Sequence, residues 1–199
     1  MLIEQTAVPL EALPLQAMKD HLRLGTGFAD DGLQDGLVVA HLRAAIAAIE
    51  GRTGKALLAR RFLMQLNRWR NDRDGQALPM APVSALISVT MRDAAGGAMI
   101  LPSDRYRLEP DMARPRLRGA GRSLPSIPED GSVDIVFDAG FGAVWDAVPV
   151  DLAQAVLLLA AEFYEARHSG GQGGPAIPLP VQALIERWRT VRVLGGGSA

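Results

Sequence analysis

Gly51-Arg52-Thr53-Gly54-Lys55-Ala56 is the string with the most chemical promise. It sets glycines beside a lysine, as a phosphate-cradling loop does. Such a loop needs GxxxxGK followed by Ser or Thr, after a strand and before a helix. Here the first glycine is wrongly spaced, and Ala56 stands where a hydroxyl would hold magnesium. The element order is reversed too, with helical periodicity before the string and strand periodicity after it. The string therefore reads as a helix end, with Gly54 in the capping position. His21, His41 and His168 lack close-spaced ligand partners, so no metal site is expected. No serine lies in a GxSxG turn. The acids are scattered, and no pair stands out as general acid and base. We expect no catalytic, metal-binding or cofactor-binding residues.

A second string, Arg68-Trp69-Arg70-Asn71-Asp72-Arg73-Asp74, mixes cations with an aromatic. Base stacking and phosphate contact use those types. Asp72 and Asp74 cancel much of the charge, however, so a solvated hairpin tip or subunit contact is the better reading.

Composition narrows the function class. The chain has 199 residues, with 21 basic against 22 acidic, so there is no global field to gather nucleic acid. Only Lys19 and Lys55 among the basic residues are lysines; the rest are arginines. Codon bias accounts for that without selection, while an arginine-rich contact surface would exploit the planar guanidinium. There is no cysteine, which excludes disulfides and thiolate metal sites and fits a reducing cytoplasm. The first residues carry Glu4 and Glu11 and do not read as a signal peptide. Apolar runs are shorter than the ~20 residues of a membrane span.

These residues must sit on three successive zones. The first is helical. Pro14 suits a first helical position, and Leu15, Met18, Leu22 and Leu24 share a face. Asp31 and Gln34 have capping-box spacing before a longer helix that ends near Thr53. Leu33, Leu37, Ala40, Ala44, Ala48 and Ile49 form its expected buried stripe. The second zone alternates. Strands are expected within 56–69 and over 85–92, 98–101, 106–108, 116–118 and 133–137, with Ala94-Ala95-Gly96-Gly97 as a hairpin turn and prolines between. The third zone opens at Val150 with a helix to about Arg167. Ala155 to Ala161 is apolar without a break, so this helix needs cover on most sides. A glycine-rich linker leads to a short helix from Pro180 to Arg189. The fold class is α+β: a helical core of about four helices with a small antiparallel sheet inserted. We read one domain over 1–199, helical at 10–54 and 148–189 and β-rich at 56–141, with a flexible C-terminal arm at 190–199.

The order LQAMKDHLRL, a loop with Asp30-Asp31, LRAAIAAIEGRTGKAL, short strands, VDIVFDAGFG and VPVDLAQAVLLLAAEFYEAR resembles the head–tail connector (adaptor) proteins of long-tailed phages. It is most similar to the branch with a β-rich insertion, and it resembles the adaptor of alphaproteobacterial gene transfer agents. The likeness runs from about Pro9 to Arg189. Pro14 departs from it, standing where such proteins often place a Ser or Thr cap. The resemblance implies a virion protein assembled in the bacterial cytoplasm and located at the portal vertex. It implies a ring of about twelve copies, each subunit presenting two different surfaces to its neighbours. The partners would be the portal protein above and the next tail component (stopper or terminator) below. DNA would pass through the ring without sequence-specific binding, and no membrane would be involved. The family supplies no catalytic residues. A nucleic-acid-binding accessory protein of DNA packaging is the alternative.

The expected partner-contact residues are Arg68 and Arg70, Trp188, and the string Val191, Arg192, Val193 and Leu194 before the terminal glycines. A short extended segment of this kind can add a strand to a partner's sheet or wedge between partner subunits.

Overall fold

Alternation of apolar and polar residues builds the middle of the chain. The computed structural model describes residues 1–24, 34–71, 74–121, 123–166 and 177–189. Strands β1 (Leu2–Glu4), β2 (Arg60–Leu66), β3 (Gln76–Ala77), β4 (Val83–Arg92), β5 (Ala98–Ile100), β6 (Tyr106–Glu109), β7 (Arg116–Gly119) and β8 (Ser132–Ala139) form two antiparallel sheets. The larger has the order β1-β2-β8-β4-β5 and the smaller β3-β7-β6. Helices α1 (Leu15–His21), α2 (Asp35–Thr53), α3 (Val150–Ala166) and α4 (Leu179–Ile185) make the other layer. The class is α+β, as the zones in the sequence imply. The short β1, at the start of the chain, was not foreseen, and it extends the sheet beyond the inserted segment by pairing Ile3 with Leu63.

Each face of the large sheet has its own chemistry, because successive side chains point to opposite sides. Phe62, Met64, Val89, Met91, Val133, Ile135 and Phe137 are buried on one face and pack with Leu117 of the small sheet. Phe62 and Phe137 are register partners, and their rings stack at 5.7 Å. The opposite face carries cross-strand polar pairs. The guanidinium of Arg61 grips Asp138 at 2.8 and 3.0 Å, and Asp134 accepts from Arg92 at 2.7 Å and Gln65 at 3.1 Å.

The helices enclose a second apolar cluster. In α2 the buried residues are Val38, Leu42, Ala45, Ile46 and Ile49. Of the expected stripe, Ile49 is buried and Ala48 half-buried, but Leu37, Ala40 and Ala44 are exposed, so the buried face is rotated from the one expected. Both faces of α2 are apolar, and the positions of α1 and α3 decide which is covered. Leu33 and Asp31 lie outside the described residues. Gln34 makes no capping bond; its side chain accepts from the Tyr164 hydroxyl at 2.6 Å instead. Gly54 ends the helix at φ 67°, as expected for a C-cap. α1 stops at His21, before Leu22 and Leu24 of the expected face, and Arg23 turns to φ 56°. In α3 only Leu152, Ala155, Val156, Leu159, Ala160 and Tyr164 are buried. Leu157 and Leu158 remain half-exposed, so the described part of the subunit leaves this helix partly uncovered.

The two clusters meet at a polar seam. Glu50 of α2 takes Arg60 of β2 in a two-pronged pair at 2.9 and 2.6 Å, and also accepts the Leu57 amide at 2.8 Å. Glu4 approaches Arg60 Nε at 2.9 Å. Burial works against the Arg60 charge, but Glu50 and Glu4 more than offset it and hold the group above its ordinary value.

Candidate interaction surfaces

Chain reversals after α2 and β2 bring separated arginines together. Arg52 lies in the last turn of α2, Arg70 just beyond β2, and Arg114 and Arg116 at the entry to β7. All four line one cleft of about 1020 Å³, and none of its lining residues is an aspartate or glutamate. Arg52, Arg70 and Arg114 are exposed and Arg116 is half-buried. The anchoring of this cleft is backbone-directed. Arg116 donates to the Asp74 carbonyl at 3.0 Å and Arg52 to the Ala48 carbonyl at 3.5 Å. Their positive charge is thus not cancelled by those contacts. Asp111, outside this lining, caps the amides of Ala113 and Arg114, both at 2.6 Å, and its charge also acts on Lys55 and Arg114. Those two amides, Arg114 first, hold its carboxyl below the usual range.

Lys55, next to Gly54, is buried. Burial lowers its pKa, with Asp111 opposing. The Thr53 hydroxyl donates to the Ile49 carbonyl at 2.8 Å and accepts the Lys55 amide at 3.2 Å. These are the bonds of a helix end, the reading that the spacing of this string favours.

A second node fastens the last helical segment. Asp151, in the first turn of α3, accepts from the Trp188 indole at 2.6 Å and the Leu152 amide at 3.0 Å, and it pairs with Arg187 at 2.6 Å. Phe141 meets the Trp188 ring edge-on at 5.6 Å. Burial alone would raise the Asp151 pKa, but the bonds from Trp188, Arg187 and Leu152 outweigh it and hold the carboxyl low.

Among the described residues, no three His, Asp or Glu side chains gather as a metal site, and no helix is long and apolar enough to cross a membrane. No protein-family model and no curated protein matches the chain. Solved structures do. A chain in the neck of an empty gene transfer agent (GTA) particle, computed with C6 symmetry, is 57% identical at a TM-score of 0.89, with 98% of each chain covered. A chain in the virion of a native GTA particle is also 57% identical, at a TM-score of 0.86 and the same coverage. A chain in the neck of a native GTA particle, computed with C12 symmetry, is 52% identical at 0.84, again over 98% of each chain. The chain belongs to the family of gene transfer agent neck proteins.

In this neck protein the expected contact residues fall in different places. Arg68 and Arg70 are exposed, but only Arg70 lines the cleft. Trp69 between them is half-buried and donates its indole N–H to the Pro125 carbonyl at 2.7 Å, so it serves as an anchor. Asn71 and Asp74 close the turn on each other at 2.9 Å. Asp72 and Arg73 lie outside the described residues. Trp188 is half-buried at the Asp151 node, away from the cleft lining. Val191, Arg192, Val193 and Leu194 lie outside the described residues. Arg52, Arg114 and Arg116 were not anticipated as a group. They are far apart in sequence, and only the abundance of arginine hinted at a contact surface.

Proposed function

We propose that this chain is the head–tail adaptor subunit of a gene transfer particle or a related tailed phage. It forms a ring of about twelve copies at the portal vertex, closed by one heterologous contact repeated around the axis. The ring extends the DNA channel below the portal and gives the next tail component its platform. DNA passes through without sequence-specific binding, and the role is structural, with no chemical step. Trp188 and the segment 190–199 form the portal-facing end.

The observation that carries this reading is the 57% identity, over 98% of each chain, with a chain of a GTA neck. The C6 and C12 symmetries of the related necks support a ring. Electron microscopy of purified particles bearing an epitope tag on this chain tests the proposal. Antibody density at the portal vertex is the expected result, and density elsewhere, or none, would sink it. Salt-sensitive DNA binding by the isolated subunit, with no place in the neck, would instead support a packaging accessory protein.

A further inference from the structure

The cleft of Arg52, Arg70, Arg114 and Arg116 collects cations without an acidic lining residue. Yet the whole chain is slightly acidic, with 22 acidic residues against 21 basic. The balancing charge must lie on other surfaces. One such surface is the end of α3. Glu162 and Glu165 are exposed there and make no hydrogen bond or ion pair among the described residues. Tyr164, between them, bonds Gln34 at the start of α2, whereas the cleft lies at the end of α2 beside Gly54. A helix of 19 residues separates the two surfaces by about 28 Å at 1.5 Å per residue. Two unlike charged surfaces at opposite ends of one element suit a head-to-tail contact, which joins different patches on successive copies.

We propose that the arginine cleft receives the Glu162–Glu165 end of α3 from a second copy of this chain. The proposal rests on the ring reading above and names the contact that closes the ring. Carboxylates can meet guanidinium groups in two-pronged pairs, which fix register as well as adding attraction. The pairing also accounts for half-exposed Leu158, which shares a face of α3 with Glu162 and Glu165 at i+4 and i+7 spacing.

The chain contains no cysteine, so introduced thiols are unique. Arg70→Cys combined with Glu165→Cys, treated in intact particles with a short bis-maleimide, should give a ladder of multimers on denaturing gels. Each single variant should give none. In parallel, Arg70→Glu with Arg114→Glu should lower incorporation into particles at least tenfold. Glu162→Arg with Glu165→Arg should do the same, and combining all four reversals should restore it to within threefold. All variants should keep the parental melting temperature to within about 3 °C, as exposed sites do. If the parent protein is present at the neck but the double-cysteine variant gives no ladder, this contact is wrong and the ring reading stands. If the parent protein is absent from the neck, the ring reading itself fails. If the arginine reversals abolish retention on immobilised DNA yet leave incorporation into particles at the parental level, the cleft takes phosphates and the proposal is overturned.

Discussion

Replacing Asp151 with alanine should loosen the whole C-terminal helical segment. Three groups converge on this carboxylate: the Trp188 indole at 2.6 Å, the Leu152 amide at 3.0 Å and Arg187 at 2.6 Å. A hydrogen bond from a half-buried donor to a charged acceptor contributes about 1.5–3 kcal/mol. Arg187 has 70% of its side chain exposed, so its pair adds only a few tenths of a kcal/mol, roughly. An acid in the first helical turn adds about 0.3–1 kcal/mol. The loss should be about 3 kcal/mol, which for a domain of this size lowers the melting temperature by roughly 6–12 °C. Asp151→Asn keeps an acceptor but no charge and should lose about half as much. The sign of the pH dependence follows from the lowered carboxyl pKa. The stabilisation is fully present above the unfolded value of about 3.9 and fades as pH falls through the lower folded value. Thermal melts of parent and Asp151→Asn, followed by circular dichroism, should differ by a constant gap from pH 7 to pH 5, and the gap should close in stronger acid. A melting temperature within 1 °C of the parent for Asp151→Ala at pH 7 would refute the reasoning.

Leu159→Asp should abolish folding, because Leu159 is buried in the helical core and an unpaired charge there costs several kcal/mol, on the order of the whole stability. Leu157→Asp, at a half-exposed position, should leave a native circular dichroism spectrum but lower incorporation into particles; failure to fold would show that this face is core. Gly140→Ala should destabilise by about 2 kcal/mol or more in denaturant melts, since Gly140 sits at φ 139° and a Cβ would lie 2.4 Å from Ala59 Cα. Deleting residues 190–199 should shift the melting temperature by less than about 2 °C, as terminal segments usually do, while micrographs show heads without tails. Tailed particles at the parental frequency would show that this segment is not the portal anchor.

The strands were legible because alternation has a strict period and the glycine and proline breaks are unambiguous. Val133–Phe137 sits inside β8, and Ala94–Gly97 is the turn between β4 and β5. The three-residue β1 and two-residue β3 are too short to carry a period. The α2 stripe failed for a different reason. Apolar residues lie on both sides of this helix, Leu37, Ala40 and Ala44 opposite Val38, Leu42 and Ile46, so periodicity fixed its buried face poorly. The surfaces were the least legible part. Arg52 and Arg116, or Asp151 and Trp188, meet only because the chain returns, and no local pattern marks such a meeting. The resemblance supplied the place in the particle neck, whereas the arginine cleft and the Asp151 node are visible only in the folded chain.

The Glu50–Arg60 seam bears on how the subunit breathes. Its two apolar clusters are separate, one within the helices and one between the sheets. Each can open on its own if the link between them gives way. One link between them is an ion pair whose side chains are both 7% exposed, so ordinary salt screens it little. Native-state hydrogen exchange should therefore separate into two cooperative sets of amides, helical and sheet. Arg60→Met should lower the opening energies of both sets, because it leaves the buried Glu50 carboxylate without its guanidinium partner. In the ring proposed above, such a joint would let one lobe hold the neighbouring copies while the other shifts.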